Sequence, residues 1–109
     1  MKKIVMIHTS PVSLNDLKAL VKQYMPDVEL VNIIDDSLLE EVKKNNGPTP
    51  QIISRMNMYV QVANSLHPDL IFNQCSSVGE AFDVAKKSTS IPTLKIDEPE
   101  KNLKVLPPI

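Results

Sequence analysis

The residues of this chain best suited to chemistry surround its single cysteine, Cys75. Asn73 precedes the cysteine by two positions, and Ser76 and Ser77 follow it directly. These small side chains form hydrogen bonds, which suits a polar, anionic ligand better than a hydrophobic core. A cysteine in its thiolate form can act as a base or a nucleophile. The alternative is that Cys75 is a small buried hydrophobic residue, as isolated cysteines often are.

The segment around Cys75 has the pattern of a strand, a loop and a helix. The apolar run 70–72 predicts a short buried strand, and the residues after Ser77 predict the start of a helix. Ser77 and Glu80 have the spacing of a capping box, which would hold the loop between Asn73 and Ser77 in a fixed conformation. In open α/β sheets, such loops lie at the carboxyl ends of the strands, where ligands bind. We therefore expect Cys75 near a helix N-terminus, which favours the thiolate.

Composition narrows the classes of function. The 109 residues include 12 Lys and Arg against 13 Asp and Glu, without a basic cluster, so nucleic acid is not an expected partner. One cysteine and two histidines argue against a disulfide and against a zinc site. Gly47 and Gly79 are the only glycines, which is too few for the phosphate loop of a flavin or dinucleotide site. No apolar stretch has the length of a signal peptide or a membrane span, and we expect a cytoplasmic protein.

The hydrophobic pattern alternates between strands and helices along a single expected domain, 1–99, followed by a tail, 100–109. Apolar runs predict four strands, at 3–7, 28–34, 70–72 and 91–96. Helical spacing predicts helices after Ser13, after Ser37, between Pro50 and His67, and after the cysteine loop. This order indicates an α/β three-layer sandwich with a four-stranded parallel sheet, of the flavodoxin-like kind. Pro92 points to an edge position for the last strand, and partial alternation suggests the same for the second.

Two of these helices carry apolar stripes that should face the sheet. On the first helix the stripe consists of Leu14, Leu17, Leu20, Val21 and Tyr24. On the longer helix it consists of Ile52, Ile53, Met56, Tyr59, Val60, Ala63 and Leu66. Met56 is expected to be ordinary core rather than part of a flexible binding groove.

The chain resembles the first domain of the aspartate/glutamate racemase superfamily, which includes hydantoin racemase. The likeness runs from about Lys3 to Pro99 and is strongest around Cys75, in the sequence 73–80. Asp83, the pair 91–92 and the run 96–99 also match. Members consist of two similar α/β domains with the active site between them. They racemise amino acids or related carbon acids without any cofactor, and one cysteine from each domain removes or returns the α-proton.

The resemblance implies roles for particular residues. Cys75 is similar to the acid/base of the first domain. The implied substrate-binding residues are Thr9 and Ser10 after the first strand, and Asn73, Ser76 and Ser77 beside the cysteine. The implied partner is a small-molecule carboxylate or amino acid. His8 is a further candidate, because it either reaches this site or forms a hydrogen bond at the strand end.

The chain also departs from the family pattern. It has no second cysteine, and it ends where the family's crossover into a second domain begins. We therefore expect racemisation by a single copy to be impaired. Three hypotheses remain open: a racemase-like fragment, a homodimer in which each copy supplies Cys75, and a non-catalytic carboxylate-binding or regulatory module. A cysteine phosphatase is not expected, because Ala81 stands where those enzymes have arginine.

Overall fold

The computed structural model describes residues 2–74 and 78–95. Its strands are β1 (Lys2–His8), β2 (Val28–Ile34), β3 (Leu70–Asn73) and β4 (Thr93–Lys95). They form a four-stranded parallel sheet in the order β2-β1-β3-β4. The helices are α1 (Leu14–Tyr24), α2 (Ser37–Lys44), α3 (Pro50–Ser65) and α4 (Gly79–Ala85), and the 3₁₀ turn Lys86–Ser88 follows α4. The predicted α/β fold, with its parallel sheet, is confirmed.

The two faces of the sheet are covered by different helices. Successive side chains of a strand point to opposite faces. Val5 and Ile7 of β1 therefore pack into a core formed with α2, α3 and α4. Ile4 and Met6 point the other way, into a smaller cluster with Val21 of α1. The result is three layers, with α1 alone on one face and the remaining described helices on the other.

The predicted apolar stripe of α1 is too broad. Leu17, Val21 and Met25 lie four residues apart and pack against the sheet, whereas the side chains of Leu20 and Tyr24 are 48% and 70% exposed. A single helix lying on a sheet buries only the stripe that points directly at it. The neighbouring row, formed by Leu20 and Tyr24, is left in solvent.

The stripe of α3 is predicted more accurately. Ile52, Met56, Val60 and Ala63 are buried in the larger core cluster. Met56 is therefore a core residue, as expected. Pro50 occupies the first turn, and the Thr49 side chain accepts a hydrogen bond from the backbone N–H of Ile52 at 3.3 Å. This cap fixes where the helix begins.

The predicted helix after the cysteine loop is present as α4. The helix begins at Gly79, and Val78 occupies the N-cap position without a side-chain cap hydrogen bond. The predicted capping box pairs Ser77 with Glu80, and Ser77 lies outside the described residues. Val78 is completely buried in the same core cluster as Phe82. Apolar packing of Val78 therefore holds the described start of α4 against the core.

The second and the last strand are predicted to lie at the edges of the sheet, and the structure confirms this. β2 and β4 are the outer strands, and Pro92 lies immediately before β4. The carbonyl of Pro92 accepts a hydrogen bond from the backbone N–H of Ile71 at 3.0 Å, so this proline participates in strand pairing without needing an N–H of its own. Among the described helices, none combines the length and apolar character required to cross a membrane.

Candidate functional site at the carboxyl edge of the sheet

The ends of β1 and β3 are neighbours in the sheet. Ile7 pairs with Asn73, and the backbone N–H of Gln74 donates to the carbonyl of Ile7 at 2.9 Å. Thr9 is 2% exposed and Asn73 is fully buried. The structure thus brings the loop that begins at Thr9 to the same edge as Asn73. Three of the predicted site residues, Cys75, Ser76 and Ser77, lie outside the described residues.

The loop after β1 is held in a defined conformation. The Ser10 hydroxyl accepts a hydrogen bond from the backbone N–H of Val12 at 3.2 Å, and Leu14 N–H donates to the carbonyl of Pro11 at 3.1 Å. Such side-chain bonds shape turns. Ser10 therefore has a structural contact of its own in addition to the predicted role in substrate binding, while Thr9 is the more buried of the two.

His8, at the last position of β1, is 1% exposed. Its Nε2 lies 2.7 Å from the side-chain oxygen Oδ1 of Asn32 on β2. An amide oxygen only accepts hydrogen bonds, so Nε2 carries the hydrogen in this contact. In the tautomer with its one hydrogen on Nε2, Nδ1 is an acceptor, and it has no hydrogen-bond partner within the described chain. Hydrogen bonding at the strand end is therefore observed, but it uses only one of the two ring nitrogens.

A second polar cluster at this edge is absent from the sequence analysis. Asp35 follows β2, and its backbone N–H donates to the carbonyl of His8 at 3.0 Å. Its Oδ1 accepts hydrogen bonds from the hydroxyl and the backbone N–H of Ser37, at 2.6 and 3.0 Å. Its Oδ2 accepts hydrogen bonds from Arg55 and Tyr59 of α3. One carboxylate thus ties the β2–α2 corner to α3.

The hydrogen bonds to Asp35 control its protonation. Desolvation by burial raises the pKa of this carboxyl group, but hydrogen bonds from Ser37, Tyr59 and Arg55 oppose it and lower the pKa to about 2. The hydrogen bond to Asp35 raises the pKa of Tyr59, burial adds to this effect, and Arg55 opposes it. Asp35 is therefore a carboxylate and Tyr59 a neutral phenol at neutral pH. Neither is suited to exchange protons with a substrate near pH 7.

The sequence does contain a signal for this cluster. Asp35 stands directly after a strand, and Arg55, the only arginine of the chain, lies four residues before Tyr59 on a helix. Residues four apart share one face of a helix. In the sequence analysis Tyr59 is assigned to the apolar stripe, and no role is given to Asp35. The long-range pairing between them follows from the fold.

Asp83, which belongs to the family resemblance, joins α4 to the end of β4. Its carboxylate accepts a hydrogen bond from Lys95 Nζ at 2.7 Å and lies 3.2 Å from Lys86 Nζ. The Lys95 hydrogen bond lowers the pKa of Asp83 against the opposing effect of burial, and Lys86 adds to the lowering. These contacts give Asp83 a role in holding α4 against the sheet.

The carboxyl edge therefore offers buried hydrogen-bonding groups on β1 and β3, beside a fully paired carboxylate on the β2 side. Across residues 2–74 and 78–95, no three His, Cys, Asp or Glu side chains are placed to hold a metal ion. Comparisons with family models, with curated proteins and with solved structures find no match to this chain.

Proposed function

We propose that this chain is an aspartate/glutamate racemase-like α/β domain that binds an amino acid or related carboxylate at the ends of β1 and β3. Cys75 is its proposed acid/base. The observation that supports this best is the burial of Thr9 and Asn73 at neighbouring strand ends, with Asn73 two residues before Cys75 in the sequence. Parallel sheets bind ligands at the carboxyl ends of their strands, and both residues lie there.

The chemistry of one thiol limits the reaction. Removing a proton from a carbon beside a carboxylate requires a base, stabilisation of the carbanion and exclusion of water. A single thiolate can take the proton and return it on the same face of the carbon. Inversion requires a second acid on the opposite face. We therefore propose that one copy of this chain exchanges the α-proton slowly and without inversion.

A homodimer is the proposed route to a complete reaction. If the two Cys75 loops face each other, the pair supplies two thiols around one ligand with twofold symmetry. Exposed apolar side chains are available for association on both sides of the sheet: Val12, Leu20 and Tyr24 on the α1 side, and Met58, Val62 and Val84 on α3 and α4. Sedimentation velocity at several protein concentrations measures the assembly, and a species that stays at 12.2 kDa throughout would contradict the dimer.

Binding is tested by NMR. Titration of ¹⁵N-labelled protein with L-aspartate or L-glutamate should shift the backbone amides of residues 8–10 and 73–74. Weak affinity is expected, because a site formed by one domain makes few contacts with the ligand. Those contacts offset little of the free energy lost when the ligand is immobilised. Shifts confined to regions remote from both strand ends would overturn the proposed site.

Catalysis is tested separately in deuterium oxide. Mass spectrometry should detect slow incorporation of one deuterium at the α-carbon of L-aspartate or L-glutamate. Cys75→Ala should abolish this exchange, whereas the matched surface control Ser90→Ala should retain it, since Ser90 is exposed. Equal background rates for the wild-type protein and Cys75→Ala, with binding retained, would instead identify a non-catalytic carboxylate-binding module.

A further inference from the structure

Two buried polar atoms at the carboxyl edge lack a hydrogen-bond partner within the described chain. They are Nδ1 of His8 and Oε1 of Gln74. A third buried atom without a hydrogen bond, Asp83 Oδ1, faces the ammonium group of Lys86 at 3.2 Å. Leaving a buried acceptor unpaired destabilises a fold, so His8 and Gln74 mark a place where a partner is missing.

The register of the sheet places these two residues side by side. Ile7 pairs with Asn73, so the next positions along the parallel strands, His8 and Gln74, are neighbours too. Neighbouring strands lie about 4.8 Å apart. By alternation along β1, His8 shares a face with Ile4 and Met6, the face covered by α1.

Gln74 belongs to the same face. Leu70 and Phe72 of β3 pack into the α1-side cluster, and alternation places Gln74 with them. The Gln74 N–H donates to Ile7, which extends the ladder of β1 and β3 by one residue beyond Asn73. The unpaired ring nitrogen and the unpaired amide oxygen therefore belong to adjacent side chains on one side of the sheet.

Both atoms are acceptors, which restricts what can bind between them. Nε2 of His8 uses its hydrogen on Asn32, so Nδ1 offers a lone pair. The amide oxygen of Gln74 can only accept. A carboxylate has no hydrogen to donate to either atom, whereas an ammonium group has three N–H donors. The pair is thus selective for a donor group.

We propose that His8 Nδ1 and Gln74 Oε1 bind the amino group of an amino-acid ligand. This inference rests on the proposed function and deepens it, because it assigns the amino end of the ligand to the α1 side of the edge. The carboxylate then needs donors elsewhere, such as the hydroxyl group of Thr9. His8 is fully enclosed and Gln74 is partly exposed, so a ligand reaches the pair from the side of Gln74.

The test is NMR of the intact protein labelled with ¹⁵N in its histidine rings. The chain has two histidines, and His67 is exposed, so its resonances serve as an internal control. The free protein should show the hydrogen of His8 on Nε2. Titration with L-aspartate should shift the Nδ1 resonance of His8, and titration with succinate, which lacks the amino group, should leave it unchanged.

A variant provides an independent measurement. Gln74→Leu removes the amide oxygen and should weaken L-aspartate binding about tenfold, the loss expected for one hydrogen bond to a charged group, while leaving succinate binding unchanged. Gln23→Leu is the matched control, because Gln23 is exposed on α1. It should bind both compounds like the wild-type protein.

The outcomes separate this inference from the proposed function. A hydrogen on Nδ1 of His8 in the free protein, or equal shifts with aspartate and succinate, would overturn the amino-group site. If both compounds shift the amides of residues 8–10 and 73–74 while the ring resonances of His8 do not change, the amino-group site is also overturned. In that case the proposed function would survive. No response anywhere to either compound would overturn both.

Discussion

Asp35 determines the local structure of the corner after β2. Both of its carboxylate oxygens are occupied, one by Ser37 and the other by Arg55 and Tyr59. In the Asp35–Arg55 ion pair the side chains are 13% and 28% exposed, respectively, so solvent screens it less than a typical surface pair. Charge-assisted hydrogen bonds of this kind are stronger than neutral ones. The cluster should therefore stabilise the fold measurably.

Asp35→Asn tests this stabilisation. It is expected to lower the free energy of unfolding by about 1–2 kcal/mol at neutral pH, because Arg55 loses its counter-charge and the network loses a charged acceptor. Urea unfolding monitored by circular dichroism measures the change. Asp36→Asn alters the neighbouring exposed carboxylate and should change stability little. Equal effects of the two substitutions would contradict a specific role for Asp35.

The same comparison has a defined pH dependence. The pKa of Asp35 is lowered from 3.8 to about 2 in the folded protein, so the folded state binds this proton less readily than the unfolded state. Its stabilisation is complete above about pH 4 and is lost as the pH falls toward about 2. The stability gap between the wild-type protein and Asp35→Asn should narrow over that interval. A gap that stays constant there would show that the charge is unimportant.

At the level of the element, the start of α3 depends on Thr49. Its hydroxyl satisfies one backbone N–H that the helix itself cannot pair. Thr49→Ala should cost about 1 kcal/mol of unfolding free energy. Ser13→Ala is a close control, because Ser13 occupies the N-cap of α1 without making a side-chain cap hydrogen bond. A loss at Ser13 as large as that at Thr49 would count against the cap as the cause.

The elements were predictable from the sequence wherever a local pattern determines them. The apolar run of β1 and the spacing of Ile52 and Met56 predict which side chains are buried, and the structure buries them in its two core clusters. Contacts between distant segments are not local patterns. Arg55 finds Asp35 only because α3 packs across the end of β2, and no spacing rule connects the two residues.

The same distinction between local patterns and long-range contacts applies to the candidate site. The family resemblance implies that Thr9, Ser10 and Asn73 belong to one site, and in the structure Ile7 pairs with Asn73 at that edge. The unpaired atoms of His8 and Gln74 could not be anticipated, since they depend on which side-chain atoms find partners after folding. Roles for Cys75, Ser76 and Ser77 remain predictions from the sequence.

For the whole molecule, stability depends on the core between the sheet and helices α2, α3 and α4. Phe82 of α4 is completely buried there, whereas Val84 of the same helix is 48% exposed. Phe82→Ala should reduce the free energy of unfolding by about 3–5 kcal/mol through lost burial and a new cavity. Small domains have about 5–15 kcal/mol in total.

The control for this substitution is Val84→Ala, which removes apolar atoms from solvent-exposed surface and should cost far less. Thermal unfolding by calorimetry measures both variants. If the two melting temperatures fell by similar amounts, the assignment of Phe82 to the main core would be contradicted.

The position of β1 inside the sheet has a consequence for synthesis on the ribosome. β1 is synthesised before β2 and β3, yet it lies between them, so Ile4 can pair with Leu70 only after β3 has been made. The nascent chain can close β1, α1 and β2 into a βαβ unit early. Until β3 emerges, the other side of β1 is an open apolar edge of the kind that pairs with other chains. Translation of the segment between β2 and β3 is therefore the stage at which this protein most needs a chaperone.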